Sequence, residues 1–200
     1  MENRSTQTLF RLFYALKPAP LIARQTDYFA ETIACGVRRV AVEHQHVTLA
    51  ITCDYDDYPY AVIKALVRAG TGVMAEPFDL RLDQLSIGNR SAALRPSQGV
   101  SLLNALQKAI AAGMKGAGVM SRPGWSFSPH QTLFYRDGRP EQRRVEGFSW
   151  HVDQFMLVCS HVGRTRHETL ATWRLNGSGQ YDLFDAFSAC ARTPRAAPAP

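Results

Sequence analysis

The feature that most constrains this chain is a tetrapeptide of the form H-x-T-L that occurs twice. His46-Val47-Thr48-Leu49 lies in the first half and His130-Gln131-Thr132-Leu133 in the second. Each copy sits in a short run rich in β-branched or aromatic residues, which reads as a strand. Successive strand side chains point to opposite faces. His46 and Thr48 therefore share one face, and Val47 and Leu49 the other. His130 and Thr132 share a face in the same way, opposite Leu133, with Gln131 the one polar exception. Each strand thus offers an imidazole beside a hydroxyl on one side and an apolar anchor on the other.

The rest of the chain suits a soluble globular domain. Of its 200 residues, 46% are hydrophobic and 20% charged, a balance unlike that of disordered chains. A chain of this length buries roughly 70% of its unfolded surface and needs no disulfide staples. No apolar run approaches the roughly 18 residues of a membrane span. Residues 1–8 are polar with no apolar signal core behind them, so secretion is not expected. A membrane protein, a collagen, a coiled coil and a disulfide miniprotein are excluded. Cys35, Cys53, Cys159 and Cys190 contain no C-x-x-C pair, which fits reduced thiols in the cytoplasm. The net charge of +6 rests mostly on arginine, which forks onto phosphate with two hydrogen bonds. That excess either attracts anionic substrates or only keeps the surface soluble.

Leu9 to Leu16 reads as a first strand and Val47 to Thr52 as a second. Between them Pro20 to Cys35 reads as a helix, from a proline start to the Gly36 stop. Cys53 to Pro59 is turn chemistry. A helix from Pro59 to about Ala69, strands at 78–83 and 91–94, and an amphipathic helix at 100–112 follow. Residues 116–128 form a Gly/Pro loop, 130–135 a strand, and Arg136-Asp137-Gly138 its turn. Phe148 to Ser160 carries one long strand signal and Thr169 to Leu175 another, while 181–191 is ambiguous. Strands and helices mix without βαβ alternation, so the expected class is α+β with mostly antiparallel sheet. Residues 1–192 read as a single domain and the Pro/Ala-rich 193–200 as a disordered tail.

The paired motifs suit displacement at phosphorus. Imidazole titrates near pH 6.5, so at neutral pH one histidine can accept a proton while the other donates one. A threonine hydroxyl two residues on can donate a hydrogen bond to a non-bridging phosphate oxygen and support the charge that builds there. Two such strands facing each other would hold one phosphate from both sides, with no metal required.

With these motifs the sequence resembles the 2H phosphoesterase superfamily, and within it the RNA 2′,3′-cyclic phosphodiesterase (2′-5′ RNA ligase) family. The resemblance begins at Arg11-Leu12-Phe13-Tyr14-Ala15-Leu16 and includes both motifs and the lead-in Phe127-Ser128-Pro129-His130. It continues from Trp150 to Gly163-Arg164-Thr165-Arg166. It implies a bilobal fold of two antiparallel sheets with outer helices, related by a pseudo-two-fold axis, with both motifs in the cleft. It implies hydrolysis of RNA 2′,3′-cyclic phosphate ends to a 2′-phosphate, with reversible 2′-5′ ligation in some members. It implies neither metal nor nucleotide cofactor. By the same resemblance His46 is the general acid at the leaving 3′ oxygen, His130 is the general base for water, and Thr48 and Thr132 hold the phosphate. Arg136 is the candidate for a further phosphate contact, on the His130 face if the strand stays regular. The expected partner is an RNA or nucleotide bearing a 2′,3′-cyclic phosphate, bound by a monomer.

Trp125, in the loop before the second motif, is placed to stack on a splayed base. Arg164 and Arg166 are candidate RNA contacts and share a face if extended. His44 could join His46 on a metal, but no third ligand is evident, so a solvated strand-start residue is preferred. His151 and His161 read as surface or strand-edge residues, and Phe10, Phe13, Trp150 and Phe155 as core. Two positions depart from the family pattern: Gln131 where an apolar residue is usual, and His167 where Tyr is frequent. The acidic run Asp54, Asp56 and Asp57 argues against long polyanions and for a small cyclic nucleotide or a 2′-5′ oligonucleotide. A non-catalytic RNA-binding module is the remaining alternative.

Overall fold

The computed structural model describes residues 8–136 and 139–177. The readings of 181–191 and of the 193–200 tail lie outside them, as do the turn residues Asp137 and Gly138. In chain order the elements are β1 (Phe10–Leu16), α1 (Pro20–Ala34), β2 (Val47–Tyr55), α2 (Tyr60–Thr71), β3 (Phe78–Ile87) and β4 (Ser91–Arg95). There follow α3 (Ser101–Gly116), β5 (Gln131–Tyr135), β6 (Glu141–Val152), β7 (Gln154–His161) and β8 (Arg166–Arg174). α1 opens on its proline and stops where Cys35 turns left-handed. α3 buries Leu103, Leu106, Ile110 and Met114, a single stripe at helical spacing. α1 buries only Ala23, Thr26, Ala30 and Ala34, small side chains that let it lie close to the sheet. Among the described residues no helix is long and apolar enough to cross a membrane.

The strands pair antiparallel in the order β6-β3-β4-β5-β2-β1-β7-β8. This order divides into two sheets, β6-β3-β4-β5 and β2-β1-β7-β8. Between them β5 and β2 share one register pair, Val47 with Gln131. Elsewhere pairing is extensive: β1 and β7 run in register from Phe10–His161 to Ala15–Met156. Val47 and Gln131 hold the same place in the two motifs. Equivalent residues facing each other is what a two-fold axis through that pair requires. The axis carries β1–α1–β2 onto β4–α3–β5, and each helix reaches the far sheet: α1 packs on β5 and α3 on β2.

The main core gathers Leu12, Leu16, Leu49, Leu82, Leu94, Leu103, Leu133 and Phe134 among others. Fully burying each such side chain contributes about 1.5–3 kcal/mol. A second, small cluster of Phe13, Ala15, Met156 and Val158, with Ile51 against it, lies on the opposite face of β1.

β3 and α3 each run four residues past their expected ends, and two further elements differ from expectation. The single long strand over Phe148–Ser160 is two strands separated only by Asp153, with β6 bound to β3 and β7 to β1. Neither Gly nor Pro interrupts the apolar pattern from Trp150 through Val152 to Phe155, so nothing local marks the break. Val152 and Gln154 are two Cα steps of about 3.8 Å apart. The sheets must therefore curl until the outer strand of one nearly meets the other. β2 also runs on to Tyr55 instead of turning at Cys53, because Asp54 is opposite Arg11 in register and bound by it.

Candidate active site

Both H-x-T-L copies use their four residues alike. The histidine and threonine are half-buried, while the second and fourth residues are fully buried. Each copy then carries a β-bulge at its leucine. Opposite β1, the register steps from Ala15–Thr48 to Tyr14–Ala50, leaving Leu49 extra. Opposite β4, it steps from Ala93–Thr132 to Ala92–Phe134, leaving Leu133 extra. A bulge places two residues against one and resets the alternation. Leu49 and Ala50 both go inward, as do Leu133 and Phe134, and the polar face resumes at Ile51 and Tyr135. Counting by twos from His130 to Arg136 therefore fails. Tyr135 lines the cleft, and the Arg136 guanidinium lies 5.5 Å from the Phe134 ring centre, outside the cleft lining.

The axis through Val47–Gln131 sets the motifs against each other. Continuing that register by one residue places His46 opposite Thr132 and Thr48 opposite His130. The four side chains open on one cavity of about 700 Å³. Each ring is tethered identically: His46 Nδ1–H donates to the His44 carbonyl at 2.6 Å, and His130 Nδ1–H to the Ser128 carbonyl at 2.7 Å. With Nδ1 carrying the proton, Nε2 is left free to exchange one. Burial pushes the His46 imidazole down to about 4, opposed by its bond to the His44 carbonyl and assisted by the His130 and Lys17 charges. Burial also lowers His130, with the Arg95 charge adding to it against the bond to the Ser128 carbonyl.

The two rings sit in different walls. His46 stacks on Phe13 at 4.8 Å and meets the edge of His167 at 5.6 Å; His167 in turn touches His44 at 4.5 Å. Burial pushes His167 to about 4 as well, with the His46 and His44 charges adding to it. Among the described residues no three His, Cys, Asp or Glu form a group that could hold a metal ion. Beside His130 the neighbours are polar: the Arg95 guanidinium Nη1–H donates to Ser128 Oγ at 2.7 Å.

Trp125 lines the cleft, half-buried. Its loop is anchored by Arg122, whose N–H donates to the Ile51 carbonyl at 2.9 Å. Arg164 and Arg166 are exposed and outside the lining; the chain between them turns through left-handed Thr165 (φ 49°), so they do not lie on an extended segment. Gly163, Thr165 and His167 line the cleft in their place, as does His161, a surface or strand-edge residue by its sequence and the last residue of β7. Arg38 and Arg39 also line it and carried no signal in the sequence beyond being a dibasic pair; Arg39 is bound to Asp27 at 2.9 Å.

The three aspartates of the acidic run have different surroundings. Asp54 accepts two hydrogen bonds from Arg11, at 2.5 and 2.8 Å, and lies 3.6 Å from Arg122. The hydrogen bond from Arg11 holds its carboxyl below the usual range. Asp56 and Asp57 are exposed and outside the lining.

This fold and cleft agree with what the chain is similar to. Residues 22–163 match the 2′-5′ RNA ligase superfamily, and the chain belongs to that family. E. coli LigT in its apo form aligns at TM-score 0.68 and 25% identity, over 84% of this chain and 98% of that one. In its complex with 3′-AMP the values are 0.70 and 23%, over 84% and 99%. The protein TT0787 of Thermus thermophilus aligns at TM-score 0.68 and 21% identity, over 84% and 100%. No curated protein sequence matches. The α+β 2H phosphoesterase fold is thus present, in a superfamily of enzymes that act on phosphodiester bonds.

Proposed function

We propose that the protein is a metal-independent phosphodiesterase that opens 2′,3′-cyclic phosphates at RNA ends, leaving a 2′-phosphate. The observation that carries this reading is the matched pair of imidazoles. Each is tethered through Nδ1 to the carbonyl two residues before it, and both face one cavity beside a threonine hydroxyl. In the proposed step His130 Nε2 takes a proton from water, and the water oxygen bonds to phosphorus. The P–O3′ bond breaks, and the 3′ oxygen takes the proton carried by His46 Nε2. Thr48 and Thr132 donate to the non-bridging oxygens, which gain charge in the transition state. With a 5′-hydroxyl in place of water, the same forward steps make a 2′-5′ linkage, and run backwards they cleave it to the cyclic phosphate.

Both histidines are lowered in the free protein, so the proton for the leaving oxygen must be stabilised by the bound anion. A phosphate between the rings raises both. E. coli LigT, solved with 3′-AMP and with ATP, supports a nucleotide in this cleft, where Trp125 would stack on the base. Pairing of Asp54 with Arg11 and Arg122, and the place of Asp56 and Asp57 outside the cleft lining, weaken the objection to an RNA strand. One chain supplies both halves of the site, which supports action as a monomer. The unpaired Cys35, Cys53 and Cys159 suit a reducing cytoplasm.

The test is hydrolysis of 2′,3′-cyclic AMP and of an RNA oligomer ending in a cyclic phosphate, both in EDTA, with the product identified by phosphorus NMR. A 2′-phosphate from the oligomer is expected. Turnover of the mononucleotide alone would shift the reading to small cyclic nucleotides. RNA binding with no product from either would leave a binding module.

A further inference from the structure

We infer that Thr26, Gln45 and Gln131 form a buried latch that positions the two histidines, an inference that rests on the two-histidine reading above. Gln131, polar where Val47 stands in the other copy, leaves the strand on the face away from the cleft. Its Nε2–H group donates to Gln45 Oε1 and to Thr26 Oγ1, each at 3.0 Å. Thr26 Oγ1–H donates to Gln45 Oε1 at 2.7 Å and lies 3.0 Å from the Ala23 carbonyl. Thr26 and Gln131 are fully buried and Gln45 is 2% exposed.

The three come from separate places: α1, the residue before His46, and the residue after His130. Each histidine is one peptide bond from a member of the latch. The latch lies where the two sheets share their single register pair. One backbone pair leaves β2 and β5 room to splay or slide. Hydrogen bonds in a low-dielectric interior restrain distance and direction, which apolar packing does not. An apolar side chain would fill the space at lower cost, since Gln131 Oε1 is buried without a protein partner. The polar trio therefore serves alignment more than stability. Small misplacement of an acid–base pair is enough to slow a reaction.

The test compares Thr26→Ser, Thr26→Val and the triple variant Thr26→Val/Gln45→Leu/Gln131→Val. Replacing all three partners together leaves no orphaned donor in the site, so the triple variant keeps a melting temperature near that of the wild type. Its kcat on 2′,3′-cyclic AMP is expected to fall about tenfold with KM within about twofold. The His46 and His130 titrations, followed by NMR, are expected to move. Thr26→Ser keeps the hydroxyl and the wild-type kcat. A folded triple variant with unchanged kcat and unchanged titrations would overturn the latch, as would a Thr26→Ser loss as large as that of the triple. If the triple does not fold, Thr26→Val alone is judged by the same readouts. If the wild type hydrolyses no cyclic phosphate, the functional reading fails by itself, and the two titrations still decide the latch.

Discussion

The His46 side and the His130 side of the cleft share a backbone and differ in what surrounds the ring. Tether, bulge and threonine correspond residue for residue across the axis. Yet His46 lies among Phe13, His44 and His167, while His130 lies beside Arg95 and Ser128. The duplicated backbone places two equal groups around one point, and the walls then make them unequal. The aromatic wall is the harder place to keep a proton. The acid role carried over to His46 therefore leans most on the substrate's own charge.

That contrast can be broken most sharply by deletion. His46→Ala and His130→Ala should each lower kcat on 2′,3′-cyclic AMP by about 10³-fold. A phosphodiester with a p-nitrophenolate leaving group needs no acid, so there His46→Ala should recover most of its loss and His130→Ala should not. Equal losses on both substrates would take the acid role from His46. Next, Thr48→Val and Thr132→Val should each cost about 10²-fold in kcat, the usual loss for one donor to a developing oxyanion. A loss in only one of them would show that the phosphate is held from one side.

The pH profile sharpens the comparison further. With both imidazoles lowered in the free protein, the form holding one proton dwindles as pH rises. Log kcat/KM should fall by about one for each pH unit above neutrality. The optimum for kcat should lie higher, because the bound anion raises both rings. A kcat/KM that climbs between pH 6 and 8 would contradict this. Stability has the opposite sign. Unfolded histidines titrate near 6.5, whereas folded His46 and His167 resist protonation to about 4. In that window the unfolded chain binds more protons, so melting temperature should fall as pH drops from about 6.5 to 4. His167→Gln should flatten that fall. Arg136→Ala, outside the cleft lining, should leave kcat and KM within about twofold.

What the sequence revealed and what it hid divide along one line. Features written within a few residues were legible: the two motifs, the Pro20 start and Gly36 stop of α1, and the apolar stripe of α3. Features that depend on a distant partner were not. The turn-like chemistry of Asp54 is overridden by an arginine 43 positions away. The face of Arg136 depends on how β4 meets β5 around Leu133. The break at Asp153 exists only because two different strands claim its two sides. Gln131 departs from the apolar pattern because Thr26 and Gln45, far from it in sequence, lie against it.

The order in which the strands are laid down has a consequence for biogenesis. β3 to β6 are contiguous, from Phe78 to Val152, whereas the other sheet is assembled from the segments on either side of them. On a ribosome the middle portion can complete its pairing early, while β1 waits with an open edge for β7 to emerge. Local pairing closes faster than pairing across long loops, and an open edge invites intermolecular association. The nascent chain is thus most exposed to aggregation in the interval before the β7–β8 hairpin is delivered.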